Sequence, residues 1–137
     1  MIKILIIQTP WYDFVASTAI EGLVELHKEN RIQLFCTEKS NYASIENDYD
    51  LSIKEEIAVQ LGRKYVDLII LTSNNNVKGY IAEKINRLDK TVYLDGEDTS
   101  PYRKNPKDFA LYFKREMLKS VQHLDNVRPF QFGAEKR

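Results

Sequence analysis

Ile2-Lys3-Ile4-Leu5-Ile6-Ile7 is the stretch that decides the fold class of this chain. A nearly continuous apolar run of this length is typical of a strand in a parallel sheet that is covered on both faces. Val66 to Leu71 is a second run of this kind, and Thr91 to Leu94 is a shorter one. From Ile32 to Cys36, the apolar residues Ile32, Leu34 and Cys36 alternate with Gln33 and Phe35. This alternation predicts one further strand between the first two runs.

Helical periodicity separates these strands. The first predicted helix runs from Phe14 to Lys28, and its Gly22 is expected to allow close packing on the sheet. Ser52 and Glu55 have the spacing of a capping box for a second helix, and Gly62 suits its end. The apolar stripes of the three predicted helices are Val15-Ala19-Leu23-Leu26, Ile53-Ile57-Ala58-Leu61 and Val77-Tyr80-Ile81-Ile85-Leu88.

Strands that alternate with helices imply right-handed crossovers and a parallel sheet with helices on both faces. The sequence therefore predicts an α/β fold: a three-layer, doubly wound, mostly parallel sheet of Rossmann-like or flavodoxin-like type with about five strands. Neither an internal repeat nor a linker divides the chain, so we expect residues 1–137 to form a single domain.

The segment after Asn105-Pro106 has two interpretations. Phe109, Phe113, Met117 and Val121 keep a period of four, which fits one long helix from Pro106 to His123. The aromatic bulk of Leu111-Tyr112-Phe113 instead favours a strand at Ala110 to Lys114 and a helix from Arg115. We favour the strand. Val127 to Phe132 is predicted as a last extended segment, which Pro129 restricts to an edge or a loop.

Composition limits the class of function. Twenty basic and twenty acidic residues balance, which argues against a general nucleic-acid binder. The region from Arg103 to Arg137 is basic and the region from Glu38 to Glu56 is acidic, so either two ordinary surfaces or an anion-receiving patch is expected. Cys36 is the only cysteine and is expected to be a small buried thiol; with no internal disulfide, we expect a cytoplasmic protein. No apolar run predicts a membrane span.

Three polar loops are expected to share one edge of the sheet, because parallel α/β sheets bind ligands outside the carboxyl ends of their strands. Thr9-Pro10-Trp11-Tyr12-Asp13 follows the first strand, Thr72-Ser73-Asn74 follows the third, and Asp95-Gly96-Glu97-Asp98 follows the fourth. Carboxylates accept hydrogen bonds from sugar hydroxyls, and aromatic faces cover the apolar side of a sugar ring. One carboxylate would also serve as a general base. The alternative is a tight turn with solvated acids.

Other chemistries lack their motifs. The first strand–helix turn has no Gly-x-Gly-x-x-Gly and the chain has no Walker-type phosphate loop. A phospho-receiver domain would need acids where Gln8-Thr9-Pro10 stands and an aspartate where Thr72-Ser73 stands. His27 and His123 are expected to be surface or partly packed residues rather than ligands or bases.

The acidic turn, Tyr112-Phe113-Lys114-Arg115-Glu116 and Pro129-Phe130-Gln131-Phe132-Gly133 together resemble the N-terminal half of GT-B glycosyltransferases of the CgeB-like, spore-maturation type. The resemblance implies a Rossmann-like domain whose crevice faces a second such domain. In that family the C-terminal half mainly holds the nucleotide-sugar and the N-terminal half receives the acceptor. The chain would then be a fragment, a free-standing relic or one part of a split assembly, with catalysis dependent on a second domain or a homodimer.

The resulting hypothesis is a sugar-transfer domain that binds a sugar or sugar-containing acceptor. It involves no cofactor, metal or nucleic acid and assigns no catalytic residue. The alternatives are a non-catalytic flavodoxin-like interaction module, which would use its basic C-terminal region, and a small nucleotide-processing enzyme. The candidate acceptor-binding residues are Trp11, Tyr12, Asp13, Ser73, Asn74, Asp95, Glu97 and Asp98, and Lys114 and Arg115 are assigned to support of the structure or to anion binding.

Overall fold

The computed structural model describes residues 1–8, 14–38, 51–72, 77–96, 102, 104–114 and 125–129. Six strands within these ranges form one sheet in the order β2-β1-β3-β4-β5-β6, and every neighbouring pair is parallel. The strands are β1 (Ile2–Ile7), β2 (Ile32–Cys36), β3 (Leu68–Thr72), β4 (Thr91–Asp95), β5 (Leu111–Lys114) and β6 (Val127–Pro129). The helices are α1 (Phe14–Lys28), α2 (Glu55–Lys64) and α3 (Tyr80–Ile85), with short 3-10 turns at Leu88–Lys90 and Pro106–Asp108.

Strand β1 lies inside the sheet and is covered on both faces, which explains its continuous apolar sequence. Ile4 and Ile6 belong to a core cluster that also contains Ile20 and Val24 of α1. Alternate residues of β1, such as Leu5, belong to a second cluster with residues of α2 and α3. The three-layer α/β prediction is therefore confirmed, and the sheet has six strands rather than about five.

Helix α1 has the predicted bounds, but its buried face is turned slightly from the predicted stripe. From residue 18 to the end of the helix, Ile20 and Val24 are the most buried side chains, whereas Ala19 and Leu23 are only partly buried. Gly22 is exposed, and a Cβ atom built on it would meet no atom within 4 Å. The prediction that Gly22 permits close packing on the sheet is therefore wrong.

Helix α2 differs from its prediction at both ends. Lys54, not Ser52, is the N-cap, and no side chain caps the helix there. Ser52 instead forms an isolated parallel bridge with Cys36 of β2. Gly62 does not end the helix, which continues to Lys64.

Gly62 is the contact point between α2 and α3. A Cβ atom on Gly62 would lie 2.3 Å from Cδ1 of Ile85, so only glycine allows the two helices this approach. Arg87 donates from Nη1 to the carbonyl oxygen of Gly62 at 2.7 Å, and Arg63 donates from Nη2 to the carbonyl oxygen of Lys84 at 2.7 Å. Arg63 of α2 thus satisfies a carbonyl near the end of α3, and Arg87, which follows α3, satisfies a carbonyl near the end of α2.

The ambiguous segment forms a strand, as favoured from its aromatic content. Asn105 accepts a hydrogen bond from the backbone of Lys107 and begins a 3-10 turn, which leads into β5. Strand β6 follows β5 at the edge of the sheet and ends at Pro129, so the predicted edge position is confirmed. The helix expected from Arg115 and residues 130–132 lie outside the described residues.

The opposite edge strand, β2, has internal acceptors for two of its amide groups. The backbone N–H of Leu34 donates to Nδ1 of His27 at 3.1 Å, and the N–H of Cys36 donates to the carbonyl oxygen of Leu51 at 3.1 Å. His27 is half-buried, as predicted, and Cys36 is a buried thiol that forms no disulfide, also as predicted.

Candidate functional site

Buried polar side chains collect at one edge of the sheet. Six polar or charged side chains are buried among the described residues, and only Thr91 lies at the start of a strand. The other five end a strand or directly follow one, and because all strands are parallel these ends share an edge. We name this group the carboxyl rim; in the spatial order of strands β2, β1, β3, β4 and β5 it consists of Thr37, Gln8, Thr72, Asp95 and Lys114.

Asp95 and Lys114 form a fully buried ion pair within the carboxyl rim. They are register partners at the last positions of β4 and β5, and both side chains have 0% exposure. Nζ of Lys114 lies 3.5 Å from Oδ2 of Asp95. The hydroxyl of Tyr112 donates a hydrogen bond to the same carboxylate oxygen. Burial of two charges is costly unless they compensate each other, so each residue requires the other.

An aromatic cluster lies against this ion pair. The ring of Tyr112 stacks on Tyr93 with centroids 5.0 Å apart, and Phe109 lies 5.1 Å from Tyr93. Tyr102 meets Tyr112 edge to face at 5.3 Å. Burial raises the pKa of Tyr112 far above its ordinary value, and the hydrogen bond to Asp95 raises this pKa further because a tyrosinate could not donate it. Tyr112 therefore remains a protonated donor and holds the start of the acidic turn in place.

Gln8 occupies the carboxyl end of β1, and threonines hold the backbone there from both sides. The N–H of Gln8 donates to Oγ1 of Thr37 at 3.1 Å. Oγ1 of Thr72 donates to the carbonyl oxygen of Ile7 at 3.3 Å. Gln8 is 2% exposed, and its Oε1 has no hydrogen-bond partner. A buried polar atom without a partner costs about 1 to 3 kcal/mol of stability, so this arrangement needs an explanation.

Lys78 connects the end of β2 to the segment before α3. Its Nζ donates to the carbonyl oxygen of Thr37 at 2.8 Å and forms a salt bridge with Glu38. The lysine charge is therefore compensated, and its role among the described residues is to hold the end of β2.

The strand order has its switch point at β1. The chain passes from β1 to its neighbour β2 on one side and then crosses to its other neighbour, β3. In open α/β sheets, ligands bind in the crevice at such a point, outside the carboxyl ends of the strands. Here these ends carry Gln8 and Thr72.

The structure describes two of the predicted site residues, Asp95 and Lys114, and brings them into direct contact. Strands β1, β3 and β4 are adjacent and parallel, so the segments that follow them in sequence all leave from the carboxyl edge. With the usual strand spacing, the ends of β1 and β4 are about 10 Å apart. The predicted site residues that lie outside the described residues are Trp11, Tyr12, Asp13, Ser73, Asn74, Glu97, Asp98 and Arg115.

Sequence reasoning placed Thr72 at this edge but missed Gln8, Thr37 and Tyr112. A signal for Gln8 was present, because it is the polar residue that directly follows a long apolar run. Tyr112 gave no such signal, since its hydroxyl becomes important only through the register of β4 with β5.

Within the described ranges, no three His, Cys, Asp or Glu side chains come together as a metal site would need. No helix in this part of the chain is both long and apolar enough to span a bilayer. No family model, no curated protein and no solved structure matches the chain.

Proposed function

We propose that this chain is the acceptor-side domain of a glycosyltransferase-like protein and binds a sugar at the carboxyl edge of its sheet. One observation carries the proposal: β1, β3 and β4 are adjacent and parallel. The three segments whose composition suits a sugar therefore begin at neighbouring positions on one edge. The resemblance of the acidic turn and of the two later motifs to the CgeB-like family supports the same function.

The burial of Asp95 separates its task from the tasks proposed for the other two carboxylates of the acidic turn. Asp95 is fully buried and paired with Lys114 and Tyr112, so its task in this proposal is to fix the start of the turn. Glu97 and Asp98 are then the carboxylates that accept hydrogen bonds from the sugar hydroxyls. The pairing with Asp95 also gives Lys114 a supporting role, which leaves Arg115 as the candidate for anion binding.

The remaining candidates complete the acceptor site. Trp11 and Tyr12 would cover the apolar face of the sugar ring, while Asp13, Ser73 and Asn74 would exchange hydrogen bonds with its hydroxyls. Either Glu97 or Asp98 would accept the proton of the attacking hydroxyl. Because the nucleotide-sugar would be held by another domain, transfer requires a second domain or a second copy of the chain.

The test is a saccharide-binding screen by saturation-transfer NMR with wild type and the double variant Glu97→Gln/Asp98→Asn. We expect the double variant to lose at least about tenfold in affinity, because each amide keeps one acceptor oxygen but loses the charge and the second acceptor oxygen of the carboxylate, a difference on the order of 1.4 kcal/mol or more. The melting temperature should stay the same.

A matched control removes two acids elsewhere. Glu83 and Asp89 are exposed, and Asp89 lies just before the start of β4, at the opposite edge of the sheet. The variant Glu83→Gln/Asp89→Asn should bind saccharides as wild type does. Equal binding by wild type and by the Glu97→Gln/Asp98→Asn variant would contradict the proposal. Salt-sensitive association with an acidic protein, without saccharide binding, would instead favour an interaction module.

A further inference from the structure

We infer that Gln8 is a recognition residue for a neutral, hydroxyl-bearing ligand that lies between the carboxyl ends of β1 and β3. This inference rests on the proposed function and adds the charge class of the ligand and the protein atom that receives it. Gln8 was not among the residues that the sequence singled out for sugar binding.

Gln8 carries an unused hydrogen-bond acceptor at the carboxyl edge of the sheet. Gln8 is 2% exposed, yet its Oε1 has no hydrogen-bond partner. No other buried side-chain nitrogen or oxygen in the described part of the chain is without one. Unsatisfied buried atoms are rare in folded proteins and concentrate where binding or catalysis retains them.

The threonine hydroxyls on the two strands beside β1 already form hydrogen bonds with the backbone of β1 and Gln8. Oγ1 of Thr37 accepts the N–H of Gln8, and Oγ1 of Thr72 donates to the carbonyl oxygen of Ile7. These bonds fix the backbone of β1 at its carboxyl end. The side chain of Gln8 thus projects from a rigid position, which is what a recognition residue requires.

A role in the packing of the core does not account for Gln8. The four residues before Gln8, from Ile4 to Ile7, are all buried and apolar. An apolar side chain at position 8 would continue that core without leaving an acceptor unpaired. A glutamine here is therefore explained by a donor that arrives from outside the chain.

The charges at the carboxyl edge favour a neutral ligand over a phosphate. The two buried or half-buried lysines described at this edge are compensated, Lys114 by Asp95 and Lys78 by Glu38. Residues 9–13 and 73–76, which follow β1 and β3 in the sequence, contain no lysine or arginine. A phosphate would need an uncompensated cation or a glycine-rich turn, whereas a neutral polyol needs only hydrogen-bonding groups.

The experiment compares wild type with Gln8→Met, which keeps a similar volume and removes the amide. Thermal unfolding is measured without ligand, and binding is measured by NMR titration with glucose, galactose, mannose, N-acetylglucosamine, maltose and cellobiose. Glucose 6-phosphate is the charged counterpart of glucose. The control variant is Gln33→Met, because Oε1 of Gln33 already accepts a hydrogen bond from the hydroxyl of Tyr65.

We expect Gln8→Met to raise the melting temperature by about 3 °C or more, since it removes an unpaired buried acceptor. The same variant should weaken saccharide binding at least about tenfold. Gln33→Met should show neither change. The phosphorylated sugar should bind no more tightly than the neutral one.

The contrary results overturn different parts of the two proposals. A lower melting temperature for Gln8→Met would show that the amide is bonded within the protein and would overturn the inference without reference to any ligand. Saccharide binding that is equal in wild type and Gln8→Met would overturn the inference and leave the proposed function standing. Absence of saccharide binding in wild type would overturn both. A clear preference for the phosphorylated sugar would overturn the neutral class.

Discussion

Lys114 and Asp95 occupy the last positions of neighbouring strands, and each is the charged partner that allows the other to be fully buried. This relationship makes the carboxyl end of β4 a structural element as well as the start of the acidic turn. A substitution of Asp95 would therefore lower stability as well as affect any binding, so it is not a selective test of sugar binding.

Removal of one member of this pair should be much worse than removal of both. Lys114→Met removes the ammonium group that lies 3.5 Å from the buried carboxylate of Asp95, so we expect a loss of about 3 to 5 kcal/mol in the free energy of unfolding. The double variant Asp95→Asn/Lys114→Met should recover most of that loss. Urea unfolding of wild type, both single variants and the double variant measures the coupling. Additive effects of the single substitutions would contradict the pairing.

The two glycines within helices should respond in opposite directions to alanine. Gly62→Ala would place a Cβ atom 2.3 Å from Cδ1 and 2.8 Å from Cγ1 of the buried Ile85, so we expect destabilisation by about 1 to 3 kcal/mol. Gly22→Ala meets open space and gains helix propensity, so we expect stabilisation by about 0.5 to 1 kcal/mol.

Thermal and urea unfolding of both variants check this pair of signs. The additional substitution Ile85→Val removes the nearest methyl group and should reduce the loss caused by Gly62→Ala. If Gly62→Ala were as stable as Gly22→Ala, the close approach of α2 to α3 would not be the reason for the glycine.

Tyr112 should make the protein sensitive to alkaline conditions. Its pKa is raised in the folded protein, first by burial and then by the hydrogen bond to Asp95, while in the unfolded chain it titrates near 10. The stabilising contribution is therefore fully present below pH 10 and is lost as pH rises above it, by at most about 1.4 kcal/mol per pH unit. Urea unfolding between pH 8 and pH 11 measures the slope.

The variant Tyr112→Phe has no proton to lose at this position and should show a shallower alkaline slope, although it is less stable at pH 8 because Asp95 loses a donor. Equal slopes for wild type and Tyr112→Phe would mean that the phenol is not buried in this way.

The sequence predicted the elements that depend on local pattern and missed those that depend on contacts between distant residues. The apolar run of β1 and the alternation of β2 identify buried strands because burial acts on each residue directly. The task of Gly62 could not be predicted, since it depends on Ile85, which lies in another helix. The same holds for Asp95: an acidic turn looks like a surface site until the register of β4 with β5 brings Lys114 beside it.

The hydrogen bonds of the outward N–H groups of β2 also limit where another protein can pair with this sheet. Two outward N–H groups of that strand, those of Leu34 and Cys36, already donate to His27 and to Leu51. An incoming strand would have to break these bonds before it could extend the sheet on that side, which is an effective protection against edge-to-edge aggregation. Under the proposed function, the second domain or second copy would therefore approach the crevice between β1 and β3 rather than lengthen the sheet beyond β2.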